Sequence, residues 1–203
     1  MEKVDLKKDL KHLYSPSVQQ VSVVDVPEMN FLMIDGAGDP NASVAYQQAL
    51  EALFSLSYTL KFSIKKSSGV DYAVMPLEGL WWTEDPSQFS MNNKEIWQWT
   101  AMIMQPEFIT AELCTEALAE VGRKKNLTAL YRVRLASYHE GLSAQIMHIG
   151  PYAAEEPTIT KLHDFIMESG YALGGKHHEI YLSDPQRTAP ERLKTVLRQP
   201  VRE

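Results

Sequence analysis

A chain of 203 residues with 44% apolar side chains is long enough to bury one sizeable core or two small ones. Its 26 acids against 20 Lys and Arg leave a net charge of -6, and the basic residues are scattered, which argues against a surface that tracks phosphates. The charged stretch Met1–Leu10, the lack of any apolar run near the roughly 20 residues of a membrane span and a single cysteine, Cys114, predict a cytoplasmic protein with no nucleic-acid or membrane partner, no disulfide framework and no thiolate metal site.

In chain order, Val21–Pro27 and Asn30–Asp35 read as two strands joined by a turn at Pro27–Asn30. Gly36–Asn41 reads as a loop ending in a capping residue. Apolar residues at helical spacing from Tyr46 through Leu50, Leu53, Phe54 and Tyr58 to Phe62 then predict a helix over about residues 42–66. A strand pattern returns at Tyr72–Trp82, bent at Pro76 and Gly79, and another at Ile96–Met104 ends in Gln105-Pro106. Thr110 caps a helix through Leu113, Ala117 and Val121, in which Cys114 reads as a small buried hydrophobe. Tyr131–Tyr138 and Leu142–Ile149 predict a hairpin around His139-Glu140-Gly141. After Gly150-Pro151-Tyr152 comes a helix through Ile159, Leu162, Phe165 and Ile166, then a strand that opens at His177, then Leu193–Pro200.

The order strand, loop, helix, strand, strand thus appears twice, and Gln105-Pro106 is echoed by Gln199-Pro200 at the end of the second unit. This predicts an α+β fold in one domain, 1–203. Two pseudo-symmetric strand-helix-strand-strand repeats, about 18–106 and about 107–203, would place antiparallel sheets around a central ligand cleft.

The strand at His177–Asp184 holds the chemistry. Period-2 alternation puts Glu179 and Tyr181 on one face and Ile180 and Leu182 on the other. If the aliphatic pair faces the core, the acid and the phenol face an aromatic-lined cleft; the plain alternative is an edge-strand Glu in a surface ion pair with Lys176. Other chemistries lack their motifs. Gly36-x-Gly38 has no third glycine, no P-loop is present, and Ser143 and Ser183 have no nucleophile-elbow context. His177-His178-Glu179 suggests a metal cluster, yet neighbours on a strand point to opposite faces and no Cys or Asp completes a shell, so no metal and no cofactor are expected.

Four segments together carry a family resemblance: Tyr72–Trp82 with its Leu-Glu-Gly-Leu-Trp-Trp run, Met104–Ile109, Gln145–Tyr152 with Gly-Pro-Tyr, and His178–Pro185 with Glu-x-Tyr-x-x-Asp-Pro. They resemble the GyrI-like small-molecule-binding family over almost the whole chain, and most closely its stand-alone branch. The resemblance implies two strand-helix-strand-strand repeats around a cleft, in agreement with the repeat read above. It also implies that Glu179 matches the acid that meets cationic aromatic drugs in multidrug-sensing regulators. The chain shows no helix-turn-helix extension of the kind those regulators carry, which points away from transcriptional activation.

Two functions follow. In one, the protein binds or sequesters a planar, often cationic aromatic molecule, with Glu179 as counter-charge and Tyr72, Trp82, Trp97, Tyr152 and Tyr181 as walls. In the other, which the resemblance to stand-alone members favours, it is a hydrolase that adds water to the strained cyclopropane of DNA-alkylating cyclopropanoid toxins. There Glu179 would activate the water, its basicity raised by burial beside indoles, and Tyr152 would donate to the carbonyl oxygen on which charge develops. Tyr72, Trp82, Trp97 and Tyr181 remain the ligand-binding set; Trp81 and Trp82 alternate faces, so only one of them lines the cleft, and Trp82 is taken although alternation does not choose between them. His148 and His178 are left outside the catalytic set, His178 because it points away from Glu179. The protein is expected as a monomer or homodimer.

Overall fold

The computed structural model describes residues 2–90 and 93–203. Their elements are β1 (Glu2–Val4), α1 (Leu6–Asp9), α2 (Lys11–Tyr14), β2 (Ser22–Ala37), α3 (Val44–Ser68), β3 (Val70–Tyr72), β4 (Leu77–Trp82), β5 (Gln98–Gln105), α4 (Ala111–Lys124), β6 (Arg134–Ile149), α5 (Glu156–Glu168), β7 (Ala172–Leu173), β8 (His177–Tyr181) and β9 (Lys194–Arg202). The architecture is mixed α and β, and its long strands pair antiparallel. The chain divides into two compact units: one takes in Met29–Met75 and Thr83–Tyr138 with the N-terminal residues through Asp9, the other Leu10–Glu28, Pro76–Trp82 and His139–Glu203.

In the first unit β2 pairs with β5 from Asn30↔Gln105 to Ala37↔Gln98, and α3 packs on β5. The helix begins where Ser43, in extended backbone, accepts a hydrogen bond from the Tyr46 amide, and it ends at Gly69, whose φ of 72° closes the last turn in the left-handed region. Its buried stripe runs through Ala49, Leu53, Leu56 and Leu60. Against it lie Ile103 and Trp99, with Tyr46 edge-on to Trp99 at 5.0 Å. α4 packs along α3 with Cys114, Ala117 and Val121 buried.

In the second unit β9 is the centre of an antiparallel sheet, with β8 on one side and β6 on the other, and β4 pairs with the far edge of β8. α5 packs on β9 through Ile159, Leu162 and Ile166. β4 precedes β5 in sequence yet belongs, with β8, to the second unit.

Two expected reversals are absent. Pro27–Asn30 is no turn; Ser22–Ala37 is one strand of 16 residues, and its polar segment marks the passage from one unit to the other. Proline fixes an extended-compatible φ and loses only a donor, so it survives where a strand is not fully laddered. His139-Glu140-Gly141 likewise lies inside the continuous strand Arg134–Ile149, bent at Gly141 with φ of 73°. A solvent turn would expose Glu140, whereas its side chain is 1% exposed and fully engaged.

Candidate functional site

The pairing of β8 sorts its side chains. Glu179 lies opposite Gly79 of β4 and Leu197 of β9, while Tyr181 lies opposite Leu77 and Thr195. Thr195 in turn lies opposite His148 of β6. Directly paired residues share a face, so His177, Glu179, Tyr181, Thr195, His148 and Trp81 stand on one side of the sheet. Glu78, His178, Arg198 and Gln145 stand on the other.

On the first face Glu179 is 5% exposed. Tyr181 donates its hydroxyl to Glu179 Oε2 at 2.6 Å, and His177 Nε2 lies 3.3 Å from Oε1. The position opposite the acid is glycine for a steric reason. A Cβ on Gly79 would lie 2.8 Å from the Trp81 indole, which folds back over it. Tyr152, delivered by the turn after β6, meets the Tyr181 ring edge-on at 5.5 Å. Its phenol is pushed above the usual range by burial first and by the Glu155, Glu179 and Asp184 carboxylates second, so it is a protonated donor near neutrality. His148 anchors that turn. Its Nδ1 pairs with Thr158 Oγ1 at 2.9 Å, and Gly150 above it has φ of 142° with room for no Cβ beyond 3.1 Å from the His148 ring. Burial holds the His148 imidazole below its ordinary value, against the opposing pull of the Pro151 backbone and Glu179.

The second face carries a buried ionic lattice. His178 bridges two carboxylates, Nε2 to Glu78 Oε2 at 2.9 Å and Nδ1 to Glu140 Oε1 at 2.9 Å. Tyr14 donates to Glu78 Oε1 at 2.6 Å. Arg198 donates to Glu140 Oε2 at 3.0 Å, to Gln145 Oε1 at 3.0 Å and to the Leu13 carbonyl at 2.7 Å. Burial alone would depress His178, yet Glu140 and Glu78 raise it to about 9. The same contacts hold Glu140 below the ordinary carboxylate range against its own burial. Two carboxylates thus meet two cations with all four carboxylate oxygens bonded, which is the condition under which buried charge is tolerated.

A family model described as the GyrI-like small molecule binding domain matches residues 19–202. The chain belongs to this GyrI-like family. Among solved structures, an uncharacterized conserved protein from Listeria innocua is 39% identical, with a TM-score of 0.91 over 98% of this chain and 100% of that one. A hydrolase from Listeria innocua is 38% identical, with a TM-score of 0.88 over 99% and 100% of the two chains. The C-terminal domain of EcmrR is 11% identical with a TM-score of 0.56, over 91% of this chain and 98% of that one, and shares the fold alone. No curated protein matches the chain.

In this GyrI-like protein Glu179, Tyr181 and Tyr152 come together as one cluster. Trp82 does not join their face. It alternates with Trp81 and lies under the Lys176 ammonium, 3.3 Å from its ring centroid; the indole beside Gly79 is that of Trp81. Tyr72 and Trp97 belong to the first unit, where both are buried. Tyr72 packs edge-on to Phe108 at 5.5 Å, and Trp97 stacks on Phe89 at 5.0 Å while donating to the Ser90 carbonyl. Sequence reasoning overlooked His177 as a partner of Glu179, and it overlooked the lattice of Glu78, Glu140 and Arg198. The lattice had a signal: Glu78 and Arg198 each interrupt an apolar strand run, which a surface charge on a buried strand would not do. Among the described residues no group of three or more His, Cys, Asp or Glu could hold a metal, and no helix is long and apolar enough to cross a membrane.

Proposed function

We propose that this GyrI-like small-molecule-binding domain is a hydrolase that opens the cyclopropane of planar aromatic cyclopropanoid toxins by adding water. The observation that carries the proposal is the buried carboxylate of Glu179, held by one phenol and flanked by a second that stays protonated. The hydrolase name of a relative 38% identical over the whole chain supports the reaction class.

The chemistry needs little more than orientation. The cyclopropane is conjugated to a dienone, so its strain and the aromatisation of the ring drive opening. Glu179 takes a proton from water as the water oxygen bonds to the less hindered cyclopropane carbon. The broken carbon–carbon pair enters the ring, and the former carbonyl oxygen takes the Tyr152 proton as it becomes a phenol. Tyr181 fixes the rotamer of Glu179 through its hydrogen bond and offers its ring, with that of Trp81, as a stacking surface.

The test is incubation of a cyclopropanoid with wild type and with Glu179→Gln, read by mass spectrometry and by dye-displacement binding. Wild type should yield a product heavier by one water, and the variant should lose roughly 10²-fold or more of the rate. Tight binding with unchanged toxin in both proteins would leave a sequestering protein in which Glu179 is a counter-charge only.

A further inference from the structure

The long helix α3 carries more apolar surface than the first unit buries. Its stripe of Ala49, Leu53, Leu56 and Leu60 is covered, whereas a second stripe at four-residue spacing, Phe54, Tyr58 and Phe62, stays in reach of solvent. Tyr58 is 48% exposed and Phe62 59%, and their rings stack with centroids 6.4 Å apart and 25° between planes. A surface helix ordinarily turns one apolar stripe inward and charged side chains outward. Here α4 flanks the second stripe without closing it. Between the two helices lies an open groove of about 330 Å³, lined by the three aromatic rings, by the buried Val121 and by Lys124 and Lys125.

The rim of this groove is basic in a chain whose net charge is -6. Lys125 reaches across to Ser55 Oγ of α3 at 3.0 Å, and Lys124 pairs with Glu120 of its own helix. Lys66 extends the aromatic stripe by one more step of four residues. Neither Lys66 nor Lys125 enters an ion pair among the described residues. From Phe54 to Phe62 the stripe runs roughly 12 Å, about two turns of an apposed helix.

The kinds of molecule that could cover such a groove differ in fit. A small ligand would be held on one side only, whereas small-molecule sites enclose most of their ligand. A second copy related by a twofold axis would bring the same surface, lysines included, against itself. An amphipathic helix lays anchors three and four residues apart into an elongated groove, and carboxylates beside those anchors complement lysines.

We propose that the α3–α4 groove docks an acidic amphipathic helix of a partner protein. Its apolar anchors lie on Phe54, Tyr58 and Phe62, and its carboxylates meet Lys66, Lys124 and Lys125. The groove belongs to the first unit and Glu179 to the second, so this docking stands whether or not Glu179 is a base.

The experiment selects a randomised peptide library displayed on phage against the full chain, with counter-selection on the double variant Tyr58→Ser/Phe62→Ser. Both rings are solvent-facing, and far-UV circular dichroism checks that the variant keeps its fold. Recovered peptides should be rich in Asp and Glu, with apolar residues three and four apart. Made synthetically, they should shift amide resonances of α3 and α4, bind more weakly as salt rises, and lose at least about tenfold in affinity in the double variant. Lys124→Glu/Lys125→Glu should weaken them as well. Recovery of no peptide that depends on Tyr58 and Phe62, or of peptides without acidic bias, would overturn the proposal. A concentration-dependent dimer in sedimentation equilibrium that the double variant dissociates would seat a second copy there instead. Amide shifts on α3 and α4 caused by acridine orange and by no selected peptide would make the groove a small-molecule site, and either result overturns the docked helix.

Discussion

His178 and Glu179 are sequence neighbours with opposite assignments, and the difference is set by what each touches. Burial would strip the charge from an isolated imidazole, but Glu140 and Glu78 hold His178 as a cation up to about pH 9. A folded-state value raised from 6.5 to about 9 contributes stability that is fully present below 6.5 and is lost as pH rises through 9. Unfolding free energies from urea titrations should accordingly fall between about pH 6 and about pH 10 by an amount on the order of a few kcal/mol. His178→Gln should flatten that dependence while lowering stability at the acid end. Glu140, held low, acts in the opposite sense and removes stability as pH falls through its depressed value. The alternation that separated His178 from Glu179 was legible in the sequence, because a period of two is all it requires. The partners that keep His178 charged were not legible, since Glu140 and Glu78 lie 38 and 100 residues away.

Among elements, β6 is the one whose continuity the sequence hid. Glycine after a His-Glu pair is the usual mark of a turn, yet Gly141 uses its positive φ to bend a strand that goes on pairing with β9 from Ser143 to Ile149. Nothing crowds the site, the nearest atom to an added Cβ being His139 Nε2 at 4.0 Å. Gly141→Ala should therefore lower stability by about 1–2 kcal/mol through backbone strain alone, and Gly141→Asn by less, in urea titrations monitored by tryptophan fluorescence. The helices were easier to read: Ser43 and Thr110 cap where polar residues precede apolar periodicity, and both accept the expected backbone amide. Strand interruptions were harder, because proline and glycine mark a reversal and a bend with the same letters.

For the whole molecule, the family match fixes the class of function and leaves the ligand to chemistry. A net charge of -6 attracts planar cations at long range, so their association should weaken as salt rises. A planar aromatic dye such as acridine orange at about 100 times its dissociation constant should stabilise wild type by about 2.7 kcal/mol in thermal unfolding. Glu179→Gln should need more dye for the same shift. The site was half legible at this scale. Glu179, Tyr181 and Tyr152 share segments whose spacing the resemblance already singled out. The choice between Trp81 and Trp82 depended on strand register, which two adjacent indoles do not encode.

The back-to-back arrangement on β8 has a consequence for folding. Glu179 is separated from the Glu78–His178–Glu140 lattice by one backbone thickness. A strand slid by a single residue would exchange the two faces, bringing a third carboxylate beside Glu78 and Glu140 and withdrawing the imidazole that bridges them. That misfolded pairing would be repelled electrostatically in a buried setting, where such repulsion is least screened. The lattice thus acts as a proofreader of strand register for the residue proposed to do the chemistry.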